Sequence, residues 1–271
     1  MTGLPFAPRV ALASLSGHSD AAWARAGSEY AGAAFLGGVA LDEPTREAAR
    51  AMVERDRSEF LPDDAAAFVD RQLSVLADAP VRPGVNVRTT SLGPLRTVAA
   101  TCARHDAMVE INAHCRQDEM CRAGAGETLL GEPDRLCEQV AAAAATGATV
   151  SVKVRTEVDG VDLPAVARAV EDAGADLLHV DAMDSESVVA DVADATDCFV
   201  VANNGVRDER TVREYLDYGA DAVSVGRPSD DPVVLARVRA AVRSWFADGR
   251  EGDRRRERTT NTHERGRERP N

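Results

Sequence analysis

Residues 149–182, TVSVKVRTEVDGVDLPAVARAVEDAGADLLHVDA, decide how this chain folds. TVSVKVR (149–155) is a β-rich run, LPAVARAVEDA (163–173) carries apolar residues at helical spacing, and LLHVDA (177–182) is a second short apolar run. Strand, helix and strand in immediate succession make a βαβ unit, whose strands lie parallel. The same alternation extends in both directions. Strands are predicted at 9–15, 33–40, 84–89, 108–113, 198–203 and 222–226. Helices are predicted at 20–29, 44–57, 64–78, 93–105, 132–146, 186–195, 208–217 and 231–246. Eight strands alternating with helices predict an α/β protein with a (β/α)8 TIM barrel; an open doubly wound sheet is the competing architecture. A repeated Gly-Ala-Asp lead into a strand, at Gly174–Asp176 and Gly219–Asp221, favours the barrel. The expected organisation is one barrel domain over residues 1–248 and a disordered charged tail over 249–271.

Composition bounds the function. The net charge is −13, and the last 23 residues hold 8 arginines against 5 acidic residues, so the body is more acidic still. An acidic body poor in aromatic residues suits a salt-rich cytoplasm, where repulsion between carboxylates is screened. It is unsuited to binding nucleic acid through bulk charge. No run is long enough to span a membrane, and the N-terminus has no signal-peptide pattern. Five scattered cysteines argue against a disulfide framework. The chain has a single lysine, Lys153, and few asparagines; Asn86, Asn112, Asn203 and Asn204 all fall near predicted strand ends, as Lys153 does.

In a (β/α)8 barrel the site lies where strands end and βα-loops begin. VEINAHCRQDEM (109–120) places Asn112, His114, Cys115 and Arg116 at the end of the fourth strand. Lys153 and Arg155 end the fifth, His179 and Asp181 the sixth. NNGV (203–206) and VGRPSDD (225–231) follow the seventh and eighth, where barrels often bind phosphate with loop amides and a helix N-terminus. Gly205 and Gly226 allow close backbone approach to an anion, Arg227 can fork onto it, and Asn204 tolerates a left-handed conformation. Cys115 is open to three readings: proton donor, nucleophile or core filler. The spacing of Cys115 and Cys121 is poor for a metal, and no metal is expected. GAGETLLGEP (124–133) reads as a glycine-rich loop.

These motifs resemble the tRNA-dihydrouridine synthases. VEINAHCRQDEMCRAGAGETLLGEPDRL resembles the family's central signature, and ALASLSGHSDAAWAR its flavin-contacting turn near the N-terminus. VNV around Asn86, VKVR around Lys153, and VVANNGV with SVGRP match further family segments, in order over about residues 9–246. The resemblance implies a TIM barrel binding FMN, with NADPH as electron donor and tRNA as partner. It implies that Asn86, Asn112 and Lys153 contact the flavin ring or substrate, and that Asn203, Gly205, Gly226 and Arg227 hold the FMN phosphate. Cys115 would donate a proton while the C5=C6 bond of uridine is reduced. His114, Arg116, Arg155, His179 and Asp181 would line the substrate side.

The chain departs from the family at defined places. His114 and Arg116 stand where the family has Gly and Pro around the cysteine, and Asp181 stands at the histidine of its VHxR segment. Asn86 replaces a glutamine, and a charged tail follows the barrel where the family has a helical tRNA-gripping domain. Two further functions are therefore carried forward: an FMN oxidoreductase for a free pyrimidine or dihydroorotate-like acid, and a barrel without redox chemistry that binds a phosphorylated ligand.

Overall fold

The computed structural model describes residues 5–249. Eight parallel strands close into a barrel in sequence order: β1 (Val10–Leu12), β2 (Ala33–Ala40), β3 (Arg82–Arg88), β4 (Met108–Ala113), β5 (Thr149–Arg155), β6 (Leu177–Asp181), β7 (Phe199–Asn203) and β8 (Ala222–Val225). The ring is sealed where β8 pairs with β1, Val223 opposite Val10. Around it run α1 (Ala21–Gly27), α2 (Glu43–Val53), α3 (Ala65–Val75), α4 (Leu92–Arg104), α5 (Asp118–Arg122), α6 (Pro133–Ala144), α7 (Leu163–Asp172), α8 (Val188–Ala195), α9 (Glu209–Asp217) and α10 (Pro232–Ala247). The barrel expectation is met and the open sheet is excluded by closure. Apart from Gly249, the tail expected at 249–271 lies outside the described residues.

The Gly-Ala-Asp repeat has a physical cause. Gly174 and Gly219 end α7 and α9 with φ of 105° and 97°, a region that favours glycine. The aspartate that follows reaches the neighbouring strand twice. Asp176 Oδ2 accepts from Val150 N–H at 2.9 Å while its own N–H donates to Val150 O at 2.8 Å. Asp221 does the same to Val200, at 2.9 and 2.8 Å. Each turn thus pins the start of one strand against its neighbour, which fixes register. Other aspartates cap helices: the carboxylates of Asp20, Asp42, Asp64, Asp162, Asp208 and Asp231 accept from first-turn N–H groups. Each such cap contributes about 1 kcal/mol.

Two boundaries differ from expectation. β1 stops at Leu12 rather than residue 15, because Ser19 Oγ takes Leu15 N–H at 2.9 Å and bonds Gly37 O at 2.7 Å, folding the chain into a turn. The stretch read as a glycine-rich loop, 124–133, holds a 3-10 turn over Gly126–Gly131, and the short helix α5 precedes it.

Side chains alternate along each strand. Those facing outward join the helices in the main apolar core, such as Val109, Ile111, Val152 and Val180. Those facing inward form layers. Phe6, Phe35, Met108, Leu177 and Phe199 make an apolar floor. Above it the interior becomes polar, and the C-terminal end opens into a cavity.

Candidate functional site

The barrel mouth holds a cavity of about 900 Å3, lined by the loops after β1, β4, β7 and β8 and by the ends of β3, β5 and β6. Cationic side chains dominate its wall: Arg57, Arg88, Arg116, Lys153, Arg155, Arg207 and Arg227 outnumber two carboxylates, Asp56 and Asp181. In a chain of net charge −13 this is a local reversal of sign, the arrangement that concentrates an anion.

Cys115 sits in this wall, 8% exposed. Its position is fixed from both sides. Its N–H donates to Asn112 Oδ1 at 3.0 Å, and its carbonyl accepts from Glu127 N–H at 3.0 Å. Gly126, with φ of 67°, is the residue that permits this approach: a Cβ there would lie 2.2 Å from the Cys115 carbonyl oxygen. The 3-10 turn is therefore a cradle for the cysteine.

Lys153 lines the cavity at 2% exposure; its side chain makes no hydrogen bond or ion pair with another described residue, and its charge acts on the buried Glu110. Arg155 also lines the cavity, but its Nη1 donates to Glu127 Oε2 at 2.6 Å and so ties β5 to the cysteine's cradle.

His114 and Asp181, the two departures flanking the cysteine loop and ending β6, face each other with Nε2 and Oδ2 3.8 Å apart. Burial and the charges of Lys153, Arg88 and Arg155 push the His114 pKa well below its usual value, so its imidazole is neutral. Asp181 Oδ1 is buried with no hydrogen-bond partner.

Three expected site residues lie deeper than expected. Asn86, Asn112 and His179 are 0–2% exposed, do not line the cavity, and make their hydrogen bonds to protein groups. Their centre is Glu110, fully buried on β4. Glu110 Oε1 accepts from Asn86 Nδ2 at 2.8 Å, and Oε2 accepts from Ser151 Oγ at 3.1 Å and bonds His179 Nδ1 at 2.7 Å. Asn112 Nδ2 donates to Asn86 Oδ1 at 2.8 Å. His179 Nε2 bonds Ser224 Oγ at 2.7 Å, and Asn203 Nδ2 donates to the same hydroxyl at 2.7 Å. One polar chain thus crosses the barrel beneath the mouth. Its order Ser224–His179–Glu110 is that of a nucleophilic triad. All three are 0% exposed, so no substrate reaches the hydroxyl. His179 is thereby corrected from a substrate contact to an interior strut.

Burial raises the Glu110 pKa, but His179, Lys153 and the Asn86 hydrogen bond outweigh it and hold the group ionised. Burial lowers the His179 pKa against the pull of Glu110, so its imidazole is neutral.

After β7 and β8, Asn204 has φ of 103° and Gly205 of 65°, and an added Cβ at Gly205 or Gly226 would meet nothing within 4 Å. The loops are open toward the cavity. The helix N-termini beyond them are not: Asp208 caps α9 and Asp231 caps α10. The 3-10 turn over Arg227–Asp230 starts at Gly226 without a side-chain cap, so an anion here would meet loop amides, the start of that turn and Arg227.

Glu110, Arg88 and Ser224 were missed by sequence reading. Each was within its reach: Glu110 and Arg88 stand two residues from Asn112 and Asn86, and so share their inward face. Among the described residues no cluster of three metal-ligating side chains occurs, and no helix is long and apolar enough to cross a membrane.

Fold and site together define a (β/α)8-barrel protein with a cysteine set in a cation-rich mouth. Residues 92–261 match the family model described as dihydrouridine synthase (Dus), and the chain belongs to that family. An uncharacterised protein of Methanocaldococcus jannaschii is 27% identical over 81% of this chain and 88% of its own length. A tRNA-dihydrouridine synthase B of Xanthomonas campestris is 27% identical over 44% of this chain and 40% of its own. Among solved structures, morphinone reductase in complex with tetrahydroNAD superposes with a TM-score of 0.59 at 15% identity, covering 86% of this chain and 87% of that one. FabK of Thermotoga maritima superposes with a TM-score of 0.54 at 18% identity, over 83% of this chain and 60% of that one. The last two likenesses concern the fold alone.

Proposed function

We propose that the protein is an FMN-dependent oxidoreductase that reduces the C5=C6 bond of uridine in tRNA, with NADPH as electron donor and Cys115 as proton donor. The observation that carries this reading is the placement of Cys115 in the cavity wall, held by Asn112 and the Gly126–Gly131 turn, in a member of the dihydrouridine synthase family.

The donor set fits FMN. The cavity has the volume of a cofactor site. Lys153 lines the cavity with no side-chain hydrogen bond to a described residue, which suits it to an electron-rich ring atom. Gly205 and Gly226 leave backbone open to an anion, and Arg227 lines the same end. When bound and reduced, FMN supplies a hydride to one carbon of the double bond. Cys115 faces the cavity to give its thiol proton to the other carbon, which leaves a thiolate. Arg116 and His114, beside it in the wall, would meet the substrate.

A second reading shares the cofactor but takes a free pyrimidine or dihydroorotate-like acid. It is favoured by the exposed Arg57 and Arg116 at the rim of an acidic chain, which suit a small carboxylate. A visible absorbance spectrum of the full chain in concentrated salt, before and after adding FMN, tests both. A flavin spectrum that stays with the protein is expected; a colourless protein that ignores FMN refutes both. Dihydrouridine formed in tRNA supports the first reading, and turnover of free uracil or orotate without tRNA supports the second.

A further inference from the structure

Arg88 ends β3 and lines the mouth cavity, yet its side chain is only 3% exposed. Its Nη1 donates to Glu59 Oε2 at 2.6 Å, and Nη2 bonds Ser16 Oγ. Its carbonyl accepts from Leu41 N–H at 3.0 Å and from Thr45 Oγ1 at 3.2 Å, which fixes the backbone as well. Gly38 makes room for the guanidinium: a Cβ there would lie 3.0 Å from Nε. The arginine is thus locked in one place by the turn after β1, by β2 and the start of α2, and by the segment between α2 and α3.

The pair is a poor stabiliser. Glu59 is 1% exposed on its side chain, Glu59 Oε1 and Arg88 Nε have no hydrogen-bond partner, and desolvating two charges without satisfying them is expensive. A hydrophobic pair of similar volume would hold these segments together as well. The arrangement is also polar in direction: Arg88 lies in the cavity wall and Glu59 lies behind it, outside the lining. Cys115 lines the same wall, and a negative charge on its sulfur would favour the Arg88 cation, as Glu59 does. Strand register agrees: Asn86 lies opposite Glu110 and Val87 opposite Ile111, so Arg88 comes level with Asn112, which holds the Cys115 amide.

Other titratable groups stand around Cys115, among them Asp181 and Lys153 of the same cavity wall. His114 is neutral, Glu127 is paired with Arg155, and burial raises the thiol of Cys121 on α5. Arg116 is exposed at the rim, and Lys153, opposite Asn112 on β5, is a second cation in the same cavity wall. From α2 the thiol meets the apolar Ala48 and Met52.

We propose that Arg88, held in place by Glu59, is a positioning residue for Cys115: its guanidinium stabilises the thiolate left when Cys115 gives up a proton. This rests on the proton-donor reading of Cys115. The sign of each charge gives opposite expectations for the two partners, which general damage to the fold would not.

The experiment is alkylation of the full chain with iodoacetamide across a pH series, following the peptide that contains Cys115 by mass spectrometry. Arg88→Met is expected to raise the pH midpoint of alkylation by about one to three units, the usual size of a lost opposite charge. Glu59→Gln is expected to lower it, and Arg88→Lys to stay near the parent. The double variant Arg88→Met, Glu59→Gln leaves no lone buried carboxylate and should still show the upward shift. The proposal is overturned if Arg88→Met and the double variant, both unfolding cooperatively, keep the parent midpoint, or if Glu59→Gln shifts it upward too. Alkylation needs no substrate. Full turnover by Cys115→Ala alongside the expected shifts would refute proton donation and leave the hold of Arg88 on the thiol standing.

Discussion

Glu110 and His179 meet inside the barrel, Oε2 to Nδ1 at 2.7 Å, with neither side chain exposed to solvent. Every donor in the surrounding chain can point toward Glu110: Asn203 to Ser224, Ser224 to His179, His179 to Glu110, with Asn86 and Ser151 arriving from the other side. One direction of donation satisfies all of them, so the chain selects one His179 tautomer. Removing one member leaves a buried charge without its partner. His179→Leu should cost about 3–5 kcal/mol, measured by urea denaturation at fixed salt. The double variant His179→Leu, Glu110→Met should lose less than that single variant. A single-variant loss below about 1 kcal/mol would show that the chain is not the barrel's internal brace.

Two histidines, His114 and His179, set the acid limit of stability. Folding lowers the pKa of His114 and of His179 below the usual 6.5, in both cases chiefly by burial. An unfolded chain therefore takes up protons that the folded chain refuses as pH falls through that value, and stability falls with it. Glu110 acts in the same direction at lower pH: held below the usual carboxylate range of 4.5, it contributes stability that is lost as it protonates. Denaturation midpoints should drop steadily from about pH 7 to about pH 5, and His114→Asn should flatten part of that slope. A midpoint constant over the range would contradict the neutral state of both imidazoles.

Gly126→Ala should disturb the cysteine rather than the fold at large. The new Cβ would stand 2.2 Å from the Cys115 carbonyl oxygen, in a left-handed backbone that alanine adopts at a cost of about 1–3 kcal/mol. The variant is expected to change the rate of Cys115 alkylation, with circular dichroism unchanged. Gly131→Ala, where a Cβ meets nothing within 4 Å, serves as the silent control.

The architecture was readable because strand and helix periods are local properties, and all eight strands fall within two or three residues of where the alternation puts them. The layer structure inside the barrel was harder to read. Asn86, Asn112 and His179 were assigned to the mouth because they stand near strand ends, but depth along a strand is set by barrel stagger, which no single strand reveals. Glu110 went unnoticed for the opposite reason. In VEIN it looks like an interruption of an apolar run, and only closure of the barrel shows that its partners come from β3, β5 and β6. Arg88 likewise gains its meaning from Glu59 and Ser16, neither of which is near it in sequence.

His114 and Asp181 give the last prediction. Read separately, each is a departure from the family pattern, a histidine in place of glycine and an aspartate in place of histidine. In space they face each other across 3.8 Å at the cavity wall, so the imbalance at one position is met at the other. An imidazole is still presented to the mouth, from the loop after β4 instead of the end of β6. Asp181→His alone sets a second imidazole against the first and removes its carboxylate. His114→Gly alone removes the imidazole and leaves Asp181 without its partner. The double variant His114→Gly, Asp181→His restores the family arrangement. It should bind FMN and turn over substrate better than the two single effects combined would allow, with a coupling of about 0.5–3 kcal/mol, as expected for residues in contact. Titrating FMN into the four proteins measures that coupling directly. Strict additivity would mean that the two departures arose independently and that neither compensates for the other.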